Sequence, residues 1–413
     1  MSTLWTWGYN NYGQLGLGGI THRSSPVQVG ALTDWCEVAG GYYHTVDVKT
    51  DNTLWTTGRN NYGQLGLGDI TDHSSPSQVG ALTNWDTVAS GQYHALAIKT
   101  DNTLWVWGYN NRGQLGLGDV TSRSSPVQVG ALTDWDNIAG GLYHTAAIKT
   151  DNTLWSWGDN GKGQLGLGDT AKRSSPVQVG SLTDWTTVAC GEEFTIAVKT
   201  DGTLWSWGYN LLGQLGLGDT TNRNSPVQVG ALTNWATVAC GEYHAVMVKT
   251  DGTLWSCGNN VNGQLGLGDR INRSSPVQVG ALTSWDKAIC GQGYVAAVKT
   301  DGTLWSWGSN SLGQLGLGNV SKYSSPVQVG ALTSWNGIAC GHSHTLGLQA
   351  GETTTTTSTH STTTSSFSTT SSLSTTSSTL STTSSTLSTT SSLSTTSSTL
   401  STSSTLSTTS STL

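Results

Sequence analysis

The chain has 413 residues, of which only 10% are charged, and it carries 53 Gly and 19 Trp. Few charges with many glycines and tryptophans point to an all-β protein rich in tight turns. A net charge of −7 argues against a general nucleic-acid binder and against docking on anionic membranes, and no apolar run approaches the roughly 18–20 residues that span a bilayer.

Met1 is followed almost at once by Thr3-Leu4-Trp5. A secretory leader needs a basic start and an apolar stretch, and neither precedes that segment. A cytoplasmic protein is expected, with an extracellular or particle-surface location as the alternative if the true N-terminus lies elsewhere.

The segment Thr-Leu-Trp returns at Thr53, Thr103, Thr153, Thr203, Thr253 and Thr303, and Gly-Gln-Leu-Gly-Leu-Gly returns seven times from Gly13 to Gly313. The period is 50 residues without insertion or deletion. Each repeat reads as four short strands. Val238 to Thr250 holds two β-rich pieces broken at Cys240-Gly241. Thr203 to Gly208 is an alternating aromatic strand, and Ser225 to Gly230, opening on Pro226, suits an outer edge. Asp-Gly or Asp-Asn between the second and third pieces predicts a two-residue hairpin turn. No 3.6-residue pattern is present, so serial four-stranded units predict propeller blades.

The tryptophans occupy three repeat positions, those of Trp5, Trp7 and Trp35, with Thr57 and Cys257 substituting at the second. Packing between blades is the expected role. The first Thr-Leu-Trp strand lacks the hairpin partner that precedes it elsewhere, and His344 to Ala350 lacks the strand that follows it elsewhere. Pairing Leu4–Trp7 with Thr345–Leu348 would close the ring and remove its open edges. The predicted fold is therefore all-β: a seven-bladed β-propeller of four-stranded blades over residues 1–350, closed by its N- and C-terminal strands. From 351 to 413 the chain is almost wholly Ser and Thr with one Leu or Phe per six or seven residues. That is too little apolar surface to offset ordering, so a disordered tail or stalk is expected.

The repeats are nearly identical, so the positions that differ stand out. One variable segment follows the Thr-Leu-Trp strand and supplies Tyr9, Tyr12, Arg59, Tyr62, Tyr109, Arg112, Lys162 and Tyr209. Another precedes the recurring histidine and supplies Tyr42, Tyr43, Tyr93, Tyr143, Glu192, Glu193, Glu242 and Tyr243. A third follows Gly-Leu-Gly, as at Ile20 to Arg23. The first two flank the hairpin end opposite the Asp turn, so they share one face. Their Tyr, Asn, Arg and Glu resemble evolved binding loops. They are the candidate binding residues, for a protein or a glycan; neutral drift in exposed loops is the competing reading.

The same positions argue against chemistry. His44, His94, His144, His244 and His344 are equivalent, but Phe194 and Tyr294 share their slot, which suits packing better than a metal. Cys190, Cys240, Cys290 and Cys340 alternate with Gly or Ser, which suits a small site rather than a disulfide or zinc centre. The glycine-rich stretch lacks the Gly-Lys-Ser/Thr of a phosphate loop. No catalytic residue, metal or cofactor is expected.

The pattern TLWSWGYN…GQLGLGD, SSPVQV and VACGEYHAVMVKT resembles the repeat of the regulator of chromosome condensation family over residues 1–350. The resemblance implies a seven-bladed propeller. The family's founding member exchanges guanine nucleotide on a small nuclear GTPase and binds chromatin, through a protruding wedge and a basic tail. This chain has neither insertion nor basic tail. Family photoreceptors carry Gly-Trp-Arg-His-Thr where this chain has Gly41-Tyr42-Tyr43-His44-Thr45 and Gly141-Leu142-Tyr143-His144-Thr145. A compact enzyme-inhibitory member is the nearer likeness. The expected function is a monomeric, non-enzymatic interaction scaffold. A GTPase exchange factor, an enzyme inhibitor, and a surface or virion protein with the tail as stalk are the alternatives.

Overall fold

The computed structural model describes residues 2–351, and those residues form 28 strands and no helix. The first two strands are β1 (Ser2–Gly8) and β2 (Arg23–Gln28). Blade 1 follows: β3 (Trp35–Gly40), β4 (His44–Lys49), β5 (Leu54–Gly58) and β6 (His73–Gln78), antiparallel and in sequence order. Five more blades repeat it from β7 (Trp85–Ser90) to β26 (Tyr323–Gln328). The seventh is composite, with β27 (Trp335–Cys340) and β28 (His344–Ala350) completed by β1 and β2. Leu4 pairs with Leu348 and Trp7 with Thr345, which is the predicted closure. One further pair, Ser2 with Trp35, joins this blade to blade 1. The Ser/Thr-rich segment and the disorder expected of it lie outside the described residues.

Every residue of β4 is buried, as in the equivalent strands of the next five blades. Each blade is covered on both faces by its neighbours, so the second strand shows no polar alternation. Apolar clusters accordingly cross blade boundaries. Ala139, Ile148 and Leu154 of blade 3 pack with Trp185, Ala197 and Trp207 of blade 4.

The tryptophans divide the work. The Trp7-type indoles are buried and donate to a carbonyl of the preceding blade, as Trp207 Nε1 does to Gln164 O at 2.9 Å. Thr57 and Cys257 reach the equivalent Gln14 and Gln214 carbonyls. The Trp35-type rings pack edge-on against them, Trp185 to Trp207 at 6.0 Å. The Trp5-type rings are half-buried; Trp205 bonds Thr203 Oγ1 and carries the Lys199 ammonium 4.4 Å from its ring.

Two details differ from the sequence reading. The outer strands begin earlier than expected, at Arg223 rather than Ser225, and the ladder shifts register between Gly208–Arg223 and Ser206–Val227. Pro226 lies in that stretch, without an N–H to continue the ladder. The hairpin turn spans three residues, not two. Asn52 N bonds Lys49 O, Lys49 N bonds Thr53 O, and Asn52 takes φ 61°. A type I turn followed by a left-handed residue is the next commonest hairpin, and Asn or Gly suits its last position. Asn52 Nδ2 also bonds Trp85 O of the next blade at 2.8 Å. Asn52→Ala is therefore expected to lower stability by about 1–2 kcal/mol and Asn52→Gly by less, read by urea denaturation.

Candidate functional site

The two variable segments meet by direct backbone bonding. Arg59 N bonds Tyr43 O at 2.8 Å, Tyr109 N bonds Tyr93 O at 2.9 Å, and Tyr209 N bonds Glu193 O at 2.9 Å. They lie at the end of each hairpin opposite the Asp turn, on one face of the ring.

Invariant residues hold them there. Asn10 is buried; its amide donates to Gly19 O and Thr21 O while its oxygen accepts from Leu15 N. Gln14 Oε1 accepts from Tyr12 N. The glycine-rich segment clasps the next blade: Gly18 N bonds Ser74 O at 2.8 Å, and a Cβ on Gly13 would stand 2.4 Å from Ser74 Cα. These amides are committed to the fold, which is why this stretch is no phosphate cradle.

The second segment rims an axial cavity of about 300 Å³ walled by the innermost strands. Seven backbone bonds close a belt around its mouth. Tyr42 N reaches Gln92 O, Gln92 N reaches Gly141 O, and the series runs through Leu142, Glu192, Glu242 and Gln292 to His342, whose N bonds Gly41 O. The side chains at the mouth thus stand on a fixed hoop.

Ten of the twelve tyrosines lie on this face, all half-buried. Eight form one arc over blades 7, 1, 2 and 3. Tyr9 and Tyr12 lie 5.2 and 4.9 Å from Tyr43. Tyr42 stacks on Tyr93 at 5.2 Å, and Tyr93 on Tyr143 at 6.0 Å. Tyr62 lies 4.4 Å from Tyr109. Arg59 covers Tyr12 at 4.8 Å, and Arg112 covers Tyr143 at 5.9 Å. Burial raises the Tyr42 and Tyr43 hydroxyls and pushes Tyr93 up to about 12.

Blades 3 to 5 carry a second patch. Tyr209 and Tyr243 are 5.7 Å apart, and Lys162 lies 5.6 Å from the Tyr209 ring. Glu192 stands beside Glu242 and Tyr243; burial first, then the neighbouring carboxylate, raises its carboxyl. Burial also raises Glu193, against the pull of Lys162. Sequence reasoning missed two members of the arc. His342 sits 3.9 Å from Tyr42, and His22 sits 4.9 Å from Tyr9. His342 occupies the repeat position of Tyr42, which was the available signal.

The recurring histidines are fully buried and point away from solvent. Thr145 donates its hydroxyl to Gln114 O, so it accepts from His94 Nε2 at 3.0 Å. His144 meets Thr195 in the same way at 3.1 Å. Ala95 and Val295 stand where that hydroxyl would face His44 and His244. The cysteines are free; Cys190, Cys240 and Cys290 contact a carbonyl of the preceding blade. Among the described residues no group of three His, Cys, Asp or Glu is placed to hold a metal.

The pattern described as the regulator of chromosome condensation (RCC1) repeat matches residues 2–47, 51–98, 101–148, 151–198, 201–248, 251–298 and 301–348. No curated protein sequence matches the chain. Among solved structures, Prp20p of Saccharomyces cerevisiae, described with its binding to Gsp1p and histones, superposes with a TM-score of 0.75 at 20% identity over 84% of this chain and 91% of its own. The same yeast protein bound to Kap60 gives 0.75 at 20% identity over 84% and 88%. Human WBSCR16 gives 0.75 at 22% identity over 84% and 99%. At these identities the likeness is one of fold.

Proposed function

Since the chain belongs to the RCC1 repeat family, we propose that it is a non-enzymatic interaction module whose tyrosine-lined face binds a protein partner. One observation carries this reading: ten tyrosines from six blades gather on one face, around a closed backbone belt. Tyrosine offers large, rigid contact area at little entropic cost, and half-buried rings are already ordered before a partner arrives. The yeast relative is described as binding Gsp1p, histones and Kap60, which supports protein binding as the use of such a propeller.

The test is affinity capture with the full chain beside a Tyr43→Ala, Tyr93→Ala, Tyr143→Ala variant. A partner retained by the wild type is expected to lose affinity by about a hundredfold or more in the variant, as for removal of several aromatic anchors. Equal retention by both proteins would place the contact elsewhere. An exchange-factor activity would instead show as faster nucleotide release from a GTPase. An enzyme inhibitor would show as loss of the bound enzyme's turnover.

A further inference from the structure

The tyrosine face is electrically divided. At the repeat position of Arg123, four of the five arginines are consumed internally: Arg123, Arg173, Arg223 and Arg273 each bind the Asp four residues earlier, Arg173 to Asp169 at 2.6 Å, whereas Arg23 has Gly19 in place of that Asp. Arg59 and Arg112 are different. They occur at variable positions on adjacent blades, lie over tyrosine rings, and among the described residues form no ion pair. Asp72 accepts from Asn60 N at 2.7 Å and so serves the loop backbone. Across the channel mouth the sign reverses. Glu192 and Glu242 line the channel on adjacent blades 4 and 5, where Glu192 N bonds Glu242 O at 3.3 Å, and Glu193 follows Glu192 in the chain.

Two preoriented guanidiniums on an aromatic shelf match carboxylates, which they can hold bidentately while apolar atoms of the ligand rest on the rings. A pair of neighbouring carboxylates at a constricted mouth matches a cation, which relieves their mutual repulsion. Both patterns share a rigid hoop, so their separation is fixed and only one orientation of a partner satisfies both.

Resting on the reading of this face as a protein-binding surface, we propose that the partner is bipolar: a carboxylate-rich segment crosses Arg59 and Arg112, and a basic side chain of the same partner enters the channel mouth at Glu192 and Glu242. The charge pattern thereby fixes how the partner is turned about the propeller axis.

The full chain can be tested by fluorescence anisotropy with two labelled peptides, one of alternating Glu and Pro and one of alternating Lys and Pro. The acidic peptide is expected to bind, to weaken as salt rises, and to lose affinity about tenfold in Arg59→Glu, Arg112→Glu. Glu192→Gln, Glu242→Gln should leave the acidic peptide unchanged and weaken the basic one about fivefold. Arg59→Gln, Arg112→Gln, which adds no new repulsion, should fall between, and an unchanged thermal midpoint certifies the fold of each variant. Failure of either peptide to bind, or indifference of the acidic peptide to both arginine variants, overturns the proposal. So does a phosphoserine–Pro peptide that outcompetes the Glu–Pro peptide, since the shelf would then select phosphate. A captured partner that is lost by the tyrosine variant but tolerates Arg59→Glu, Arg112→Glu would leave the face in place and remove only its polarity. Indifference to the tyrosine variant would remove the face itself.

Discussion

Lowering the pH from 7 to 5 is expected to cost the fold about 10 kcal/mol at its buried imidazoles, offset in part by the buried carboxyls of Asp47 and Glu192, whose penalty shrinks over the same range. The cause is the ring of buried imidazoles. Burial holds His44, His94 and His344 down to about 3 and His144 and His244 to about 4. In the unfolded chain each takes a proton as the pH falls through about 6.5. The folded protein does not follow until pH 3 to 4. The histidine contribution is therefore full above about pH 6.5 and is lost progressively below it, by roughly 2 kcal/mol per imidazole at pH 5. Urea midpoints measured at several pH values would show this slope. His244→Phe, which copies the Phe194 of blade 4, should flatten the imidazole part of the slope by about a sixth, because His342, also held down to about 4 by burial, brings the titrating imidazoles to six. A midpoint independent of pH between 7 and 5 would contradict the account.

Asp47→Ala is expected to stabilise the protein by about 1–3 kcal/mol at neutral pH. Asp47 lies on the fully buried strand β4, where the equivalent residues include Ala97, Ala147, Ala197 and Ala297. Its Oδ1 has no hydrogen-bond partner, and burial raises its carboxyl well above the usual carboxylate range. The unfolded chain sheds this proton as the pH rises through about 3.8, while the folded chain retains it. The carboxyl therefore penalises folding increasingly as pH rises, opposite to the histidines. The gain from Asp47→Ala should be larger at pH 7.5 than at pH 5.5, by chemical denaturation; a loss of stability at both would show that the carboxyl is satisfied. The substitution falls between blades 7 and 1, where Thr57 replaces the tryptophan that bonds the preceding blade in most repeats. This boundary combines a missing indole with a buried acid.

Much of the architecture was readable because the repeat is strict. Thr-Leu-Trp and the paired pieces around Gly241 located the strands, and the unmatched halves at Leu4 and Leu346 located the closure. Turn length was not readable, since Asp51-Asn52 serves either a two- or a three-residue hairpin and Lys49 N decides between them. The shared face of Tyr43 and Arg59 followed from strand direction alone. The stacking of Tyr42 on Tyr93, and of Arg59 over Tyr12, depends on distances between successive blades, which a 50-residue period does not encode. Asp47 was passed over for a related reason. A strand covered on both sides gives no alternation, so nothing in its local pattern marks an acid as buried.

The closing strands also determine how the ring responds to load. β1 and β28 run antiparallel, and Ser2 lies opposite Ala350. A pull applied to these two positions would load the Ser2–Ala350 end of the ladder first and separate its bonds one after another, like a zipper, instead of shearing them together. Tension along the chain would therefore open the propeller at this seam, while the other six blades, each formed from continuous chain, would still be intact.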